Sequence, residues 1–313
     1  MTSLTACLLS IWGCDGAYNL IWEVDCVSRI KFGILGGDYR YKILYDMLLN
    51  DGYSVKVYCN KDINACVNTV DELLDSTDMI IGPIPSTKDN ERIFITDCQD
   101  IKIDNFIEKM YRNDVKVFAA GVIGKKILEE AVKYNIKTFD FFESESVAVK
   151  NAIPTAEGAI QTAMEESDRT LFGSKALVLG YGRCGKILSN ILKGIGVDVS
   201  VTYRKDSDAA YINSYGYKGI NLYEIKSFVS DFDFIFNTIP AMIIDKEIIK
   251  RINKNCVVID LAQAPGGVDF NFARDVNVKA LYCPGLPGRV APYTAAKIIK
   301  EEVVNIGLSS FGK

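Results

Sequence analysis

The chain has 313 residues, 49% of them hydrophobic and 24% charged, and a formal net charge of −4. That length suits two domains with cores of their own, and the acidic balance excludes the broad basic footprint of a nucleic-acid binder. Nine cysteines without a CxxC pair, in a chain with no histidine, indicate neither a zinc set nor a disulfide framework, so reduced thiols in a cytosolic protein and no metal centre are expected.

Residues 1–28 read either as a genuine N-terminal extension or as the product of a start assigned too early. No cation precedes Arg29 and no run reaches the ~20 apolar residues of a membrane span, so neither a signal peptide nor a span is expected there. From residue 30 strands and helices alternate. "RIKFGILGGD" is a buried strand entering a Gly-Gly turn, and "YKILYDMLLNDG" places Ile43, Leu44, Met47 and Leu48 on one helical face. "YSVKVYC", "TDMIIGPIPS", "VKVFAAG" and "IKTFDFF" read as further strands, with the helix "GKKILEEAVKY" before the last. A long helix is expected to begin after Pro154 in "AIPTAEGAIQTAMEES", and residues 142–160 read as a hinge. "KALVLGYG" opens a second αβ unit, continued by the strands "FDFIFNTIP", "NCVVIDLA" and "VKALYCPG". The expected fold class is α/β, with two doubly wound parallel-sheet domains, the second a Rossmann dinucleotide-binding domain. Its expected boundaries are an α/β substrate domain over 29–150, the Rossmann domain over 151–290, and a C-terminal helix over 291–313 that packs back on the first domain.

Gly180-Tyr181-Gly182-Arg183-Cys184-Gly185 fits G-x-G-x-x-G between a strand and a helix with Ile187, Leu188, Ile191, Leu192 and Ile195 at helical spacing. In that frame Gly180 allows the tight turn, Gly182 lets a pyrophosphate approach the backbone, and Gly185 lets helix and strand pack closely. Arg183 sits at the helix start, and Cys184 reads as a small residue filling tight space rather than a nucleophile. The second strand, "VDVSVTY", ends at Tyr203-Arg204-Lys205, where an NAD site carries the acid that binds the ribose 2′-hydroxyl. Two cations in place of that acid favour NADP, since a guanidinium can grip a 2′-phosphate bidentately. Thr238, Ile239, Pro240 and Asp260 stand at strand C-termini, the edge where open α/β sheets bind ligands, and are candidates for the cofactor site. For Asp260, capping of its own strand end is an equal alternative.

Oxidising an ordinary alcohol calls for a general base near neutrality, a task usually given to histidine. A chain without histidine fits better a hydride removal driven by aromatisation of the product ring. "GGDYR", "GPIPSTKD", "SESVAVKNAIPTAEGAIQTAMEES", "VLGYGRCGKILSNILKGIG", "FNTIPAMIIDKE" and "IDLAQAPGGVDF" with "CPGLPGRVAP" together resemble the dipicolinate synthase A-subunit family, from about residue 30 to the C-terminus. The resemblance implies an NADP-dependent oxidoreductase. It would convert a dihydrodipicolinate-type precursor, from the diaminopimelate/lysine pathway, to dipicolinate in the cytoplasm of the mother cell of a sporulating bacterium. It also implies a partner, the flavoprotein-like B-subunit of dipicolinate synthase.

A dicarboxylate substrate calls for cationic or N–H-rich positions. Arg40 at the end of the first strand, Ser86 and Lys88 after "MIIGPIP", Asn151 and Thr155 in the hinge, and Arg289 from the other domain are the substrate candidates. Glu143 and Glu145 are candidates to relay a proton. Two other readings stay open: a different two-domain NAD(P) dehydrogenase, disfavoured by the missing histidine, and a non-catalytic NADP-binding sensor.

Overall fold

The computed structural model describes residues 30–98 and 101–312, so the expected extension over 1–28 lies outside the described residues. The chain divides into two compact units, one running to Glu143 and resumed at Ile299–Lys313, the other Ser144–Ile298.

The first unit contains β1 (Lys31–Leu35), α1 (Tyr39–Asn50), β2 (Ser54–Tyr58), α2 (Val70–Leu74), β3 (Met79–Ile81), β4 (Arg92–Ile93), β5 (Ile101–Lys102), α3 (Ile103–Arg112), β6 (Val117–Ala120), α4 (Lys125–Lys133) and β7 (Lys137–Asp140). Five of these strands form a parallel sheet in the order β2-β1-β3-β6-β7, while β4 and β5 pair separately and antiparallel. Each central strand is a short apolar run buried on both faces, as in "MII" and "VFAA", which is what helices covering both sides of a parallel sheet require. Strand order reverses between β1 and β3. The crevice at their C-terminal ends is therefore flanked by the Gly36-Gly37 turn and the Gly82-Pro83 loop. Tyr41, Leu44 and Leu48 bury the inner face of α1, with Ile43 and Met47 only half-buried at its edge.

The second unit contains α5 (Glu145–Glu165), β8 (Lys175–Leu179), α6 (Arg183–Gly194), β9 (Asp198–Tyr203), α7 (Asp206–Ser214), β10 (Lys218–Asn221), β11 (Phe234–Asn237), α8 (Lys246–Ile249), β12 (Val257–Asp260), α9 (Phe270–Asp275), β13 (Lys279–Tyr282) and α10 (Leu286–Val290). Its six parallel strands run β10-β9-β8-β11-β12-β13, the 3-2-1-4-5-6 order of dinucleotide-binding sheets, with the switch point between β8 and β11. "FIFN" and "VVID" are buried throughout, and Phe234 and Phe236 each contribute about 1.5–3 kcal/mol by burial.

The long hinge helix begins at Glu145, not after Pro154. Ser144 caps it by accepting the Val147 amide at 3.5 Å, and Pro154 lies inside it, buried. Proline in a helix interior loses its own amide hydrogen bond and crowds the carbonyl four residues before it, a cost opposed by packing of the helix around Gly158 against Leu286 and Val290. The last helix, α11 (Pro292–Phe311), passes from one unit to the other. In the first unit Gly307 lies against Ile30 and Phe32, and Lys300 pairs with Asp51. The expectation of reduced thiols fails at one pair: Cys59 and Cys98, 39 residues apart, are disulfide-bonded with Cα atoms 5.9 Å apart. Sequence spacing carries no signal for that pairing, because it is made by the loop beyond β4 returning to the end of β2. Among the described residues no helix is long and apolar enough to cross a membrane.

Candidate functional site

The β8–α6 turn of the second unit is built by its glycines and two threonines. Gly180 has φ +96°, and a Cβ there would meet Thr238 Oγ1 at 2.8 Å. A Cβ on Gly185 would lie 2.1 Å from the Gly180 carbonyl oxygen, so α6 can approach the turn this closely only with glycine. The Gly180 amide donates to Thr202 Oγ1 at 2.9 Å, and the Thr238 hydroxyl donates to the Leu179 carbonyl at 2.8 Å. Gly182 caps α6 without any side-chain acceptor, and nothing stands within 4 Å of where its Cβ would be. The turn thus offers free helix N-terminal amides beside open space, which suits a pyrophosphate.

Beside the turn lies a pocket of about 360 Å³, walled by residues 180–182, 202–205 and 238–240 together with Asp208 and Leu222. The structure therefore brings together Gly180, Gly182, Tyr203, Arg204, Lys205, Thr238, Ile239 and Pro240. Arg204 and Lys205 are exposed, and among the described residues neither has an ion-pair partner. Tyr203 is half-buried at the end of β9. Thr202 and Asp208 were missed by sequence reasoning. Thr202 had a usable signal, a hydroxyl at the second-last strand position facing the glycine turn, whereas Asp208 is one of two acids in the first turn of α7 and nothing in the pattern separates them.

Other expected cofactor residues sit differently. Gly185 lies behind the turn. Arg183 pairs with Glu145 at 2.5 Å, and that carboxylate holds the guanidinium above its ordinary range. The same ion pair engages Glu145, a proton-relay candidate, while Glu143 is exposed at the end of a short 3-10 turn. Burial raises the Cys184 thiol against a smaller opposing pull from Arg183, which keeps it protonated and not nucleophilic. Asp260, expected at the cofactor, is fully buried and has no place in the pocket wall. Its Oδ1 accepts from Asn237 Nδ2 at 2.8 Å and the Ala262 amide at 3.1 Å, and its Oδ2 from the Gly267 amide at 2.7 Å. A carboxylate so engaged shapes its own loop.

Of the substrate candidates, three lie in the first unit. Arg40 is 6% exposed, and its guanidinium binds both oxygens of Asp38, with Nη2 2.7 Å from Oδ2. Burial alone would raise the Asp38 carboxyl, but the hydrogen bonds and charge of Arg40 outweigh it and hold it below the usual carboxylate range. Asp38 also caps α1 through the Arg40 amide. The Gly36-Gly37 turn beside them is held by Asn60, another residue the sequence did not single out, whose amide donates to both glycine carbonyls. Ser86 is fully buried and spent: it donates to the Val122 carbonyl at 3.0 Å and accepts the Gly124 amide at 3.1 Å, so it pins a neighbouring loop. Lys88 is exposed, with Nζ 3.7 Å from the centre of the Phe94 ring. In the second unit, the Thr155 hydroxyl donates to the Asn151 carbonyl within α5, Asn151 is half-buried, and Arg289 is exposed on α10.

Residues 31–142 match the family model of the dipicolinate synthase A-subunit N-terminal domain, and residues 148–268 that of the NAD-binding domain of D-isomer specific 2-hydroxyacid dehydrogenases. The dipicolinate synthase A-subunit of Bacillus subtilis (strain 168) is 31% identical over 290 residues, covering 87% of this chain and 94% of that protein. Crystal structures of the same enzyme component superimpose with a TM-score of 0.80 for Bacillus halodurans (28% identity, 88% of this chain and 97% of that one). For Bacillus subtilis the TM-score is 0.79 (27% identity, 91% and 97%). With a matching N-terminal domain, a dinucleotide-binding domain of dehydrogenase type and near full-length identity above 30%, the chain belongs to the dipicolinate synthase A-subunit family.

Proposed function

We propose that this protein catalyses the NADP-dependent oxidation of a dihydrodipicolinate-type precursor, formed from 4-hydroxy-tetrahydrodipicolinate by loss of water, to dipicolinate. The observation that carries the cofactor choice is the pair Arg204 and Lys205 at the rim of the pocket, uncommitted to any described carboxylate. The residues present fit such a group. Gly182 leaves room at the α6 amides for a pyrophosphate, Gly180 and Gly185 keep the turn tight, and the two cations suit a 2′-phosphate. Bound NADP⁺ supplies the hydride acceptor. The aromatising reaction releases one hydride and one proton from the ring, and the gain in ring stabilisation lets water or a modest carboxylate take the proton. Glu143 is the more available of the two relay candidates, because it is exposed while Glu145 is held by Arg183.

On the substrate side, Arg40 is the leading carboxylate ligand. Its guanidinium is already oriented by Asp38, and a substrate carboxylate would share it. Lys88, Asn151, Thr155 and Arg289 remain proposed contacts, while Ser86 acts only by holding its loop. A relative named as one component of a synthase supports assembly with a second, which we take to be the flavoprotein-like B-subunit, in the mother cell during sporulation.

The test mixes the purified protein with NADP⁺ or NAD⁺ and freshly generated precursor, with and without the B-subunit. Reduced cofactor is followed by absorbance and the pyridine product by mass. Dipicolinate formed with a clear NADP⁺ preference is the expected result. Tight NADP binding without turnover, even with the partner present, would overturn the enzyme reading and leave a cofactor-binding sensor.

A further inference from the structure

Asn237 and Asp260 end adjacent strands, β11 and β12, and both are fully buried. A carboxylate only accepts, so the Asn237 amide must turn its nitrogen toward Asp260, where Nδ2 stands 2.8 Å from Oδ1. That choice fixes the other half of the amide. Oδ1 then accepts the Ile239 amide at 3.1 Å while Nδ2 also donates to the Ile239 carbonyl at 3.0 Å, so one side chain closes on both ends of residue 239. Ile239 and Pro240 form a wall of the pocket, and the Ile239 side chain stands 3.0 Å from where a Gly180 Cβ would be. The other Asp260 oxygen fastens Gly267, whose carbonyl accepts the Ile243 and Ile244 amides. A Cβ on Gly267 would come within 2.3 Å of Asn237 Nδ2, so the two strand-end loops interlock at this point.

We infer that Asp260 is a positioning residue for the cofactor: by orienting the Asn237 amide it sets the backbone of Ile239–Pro240 against the glycine turn, touching no ligand itself. The inference rests on the reading of this pocket as a dinucleotide site. Asp260→Asn keeps size and shape but replaces one of two acceptor oxygens by a donor nitrogen. Turned toward Gly267, that nitrogen opposes the Gly267 amide and loosens the interlocked loops. Turned toward Asn237, it opposes Nδ2 and drives the Asn237 amide over, so that the Ile239 N–H faces a donor instead of an acceptor.

The experiment measures NADPH and NADH dissociation constants by cofactor fluorescence, in buffer where urea titration shows each variant folded, for the full chain, Asp260→Asn and Asn237→Ala. Expected is tenfold or greater weakening in both variants, whereas a residue that merely stabilised the fold would move the urea midpoint and leave affinity of the folded protein unchanged. Unchanged affinity in the folded single variants would overturn the inference while the dinucleotide reading stood. If the unaltered protein binds neither nucleotide, that reading falls as well. Should Asp260→Asn not fold, Asn237→Ala decides alone, since it removes the oriented amide and leaves the carboxylate with its two backbone donors.

Discussion

Three side chains at the end of β9 and the start of α7 set the charge of the pocket: Arg204, Lys205 and Asp208. On the proposed NADP reading the two cations attract a 2′-phosphate, and the acid opposes them. Replacing Arg204 by Ser is therefore expected to weaken NADP binding roughly ten- to a hundredfold, the loss of a charge-assisted hydrogen bond, with NAD affinity nearly unchanged. Asp208→Asn should strengthen NADP binding several-fold. Fluorescence titration with both nucleotides checks the pair, and equal loss of NAD and NADP in the Arg204 variant would remove the phosphate assignment. Arg204 and Lys205 were legible because a strand end has a fixed place in this fold. For Asp260 two roles stood equally open, because at a strand end a carboxylate that binds a ligand and one that caps its own loop leave the same trace in sequence; its bonds to the Ala262 and Gly267 amides are those of the second. Asp38 tests the electrostatics elsewhere. Its carboxyl is held below the ordinary range by Arg40, so its contribution to stability is fully present above the unfolded-state value of about 3.9 and is lost as pH falls through the lower folded-state value. Urea midpoints measured from pH 6 down to pH 2.5 should show that loss in the unaltered protein. Asp38→Asn should flatten this part of the profile.

The β8–α6 turn is the element on which the cofactor reading depends, and its glycines are not interchangeable. Gly182 faces open space, whereas a Cβ on Gly185 would run into the Gly180 carbonyl. Gly185→Ala must push α6 off the turn, an overpacking cost of about 1–3 kcal/mol. The same displacement moves the helix N-terminal amides away from the pyrophosphate position. We expect a lowered melting temperature together with at least tenfold weaker binding of either nucleotide, read by calorimetry and titration. Gly182→Ala should leave stability near that of the unaltered chain while still weakening binding, because its methyl group would occupy the ligand's space. A turn this stereotyped is readable from spacing alone. The α5 start was not, because a proline in a sequence marks where a helix loses one hydrogen bond and says nothing of the packing that can carry the helix through. Ser144, three residues before the Val147 amide it accepts, was the available signal for the true start.

At the scale of the molecule, strand alternation was enough to foresee two parallel sheets, since short apolar strands separated by helices admit little else. Two long-range features differ in how far they could be read. A C-terminal helix that packs back on the first domain was expected, and the first unit resumes at Ile299, whereas the Cys59–Cys98 bond closes a loop whose ends have no sequence relation. Both bear on stability. The disulfide lies wholly in the first unit, and closing a loop of this length constrains the unfolded chain by roughly 4 kcal/mol in the chain-entropy view. The nucleotide pocket lies wholly in the second unit, and saturation at a hundred times the dissociation constant contributes about 2.7 kcal/mol there. Reduction and cofactor should therefore act on different parts of a calorimetric trace. Dithiothreitol, or Cys98→Ser, is expected to lower the transition that includes Asp51 and Lys300, while NADP⁺ raises the other and is bound equally well before and after reduction. Cofactor affinity that fell on reduction would show that the bond reaches the pocket. A single transition shifted by both treatments would show instead that the two units unfold as one cooperative body.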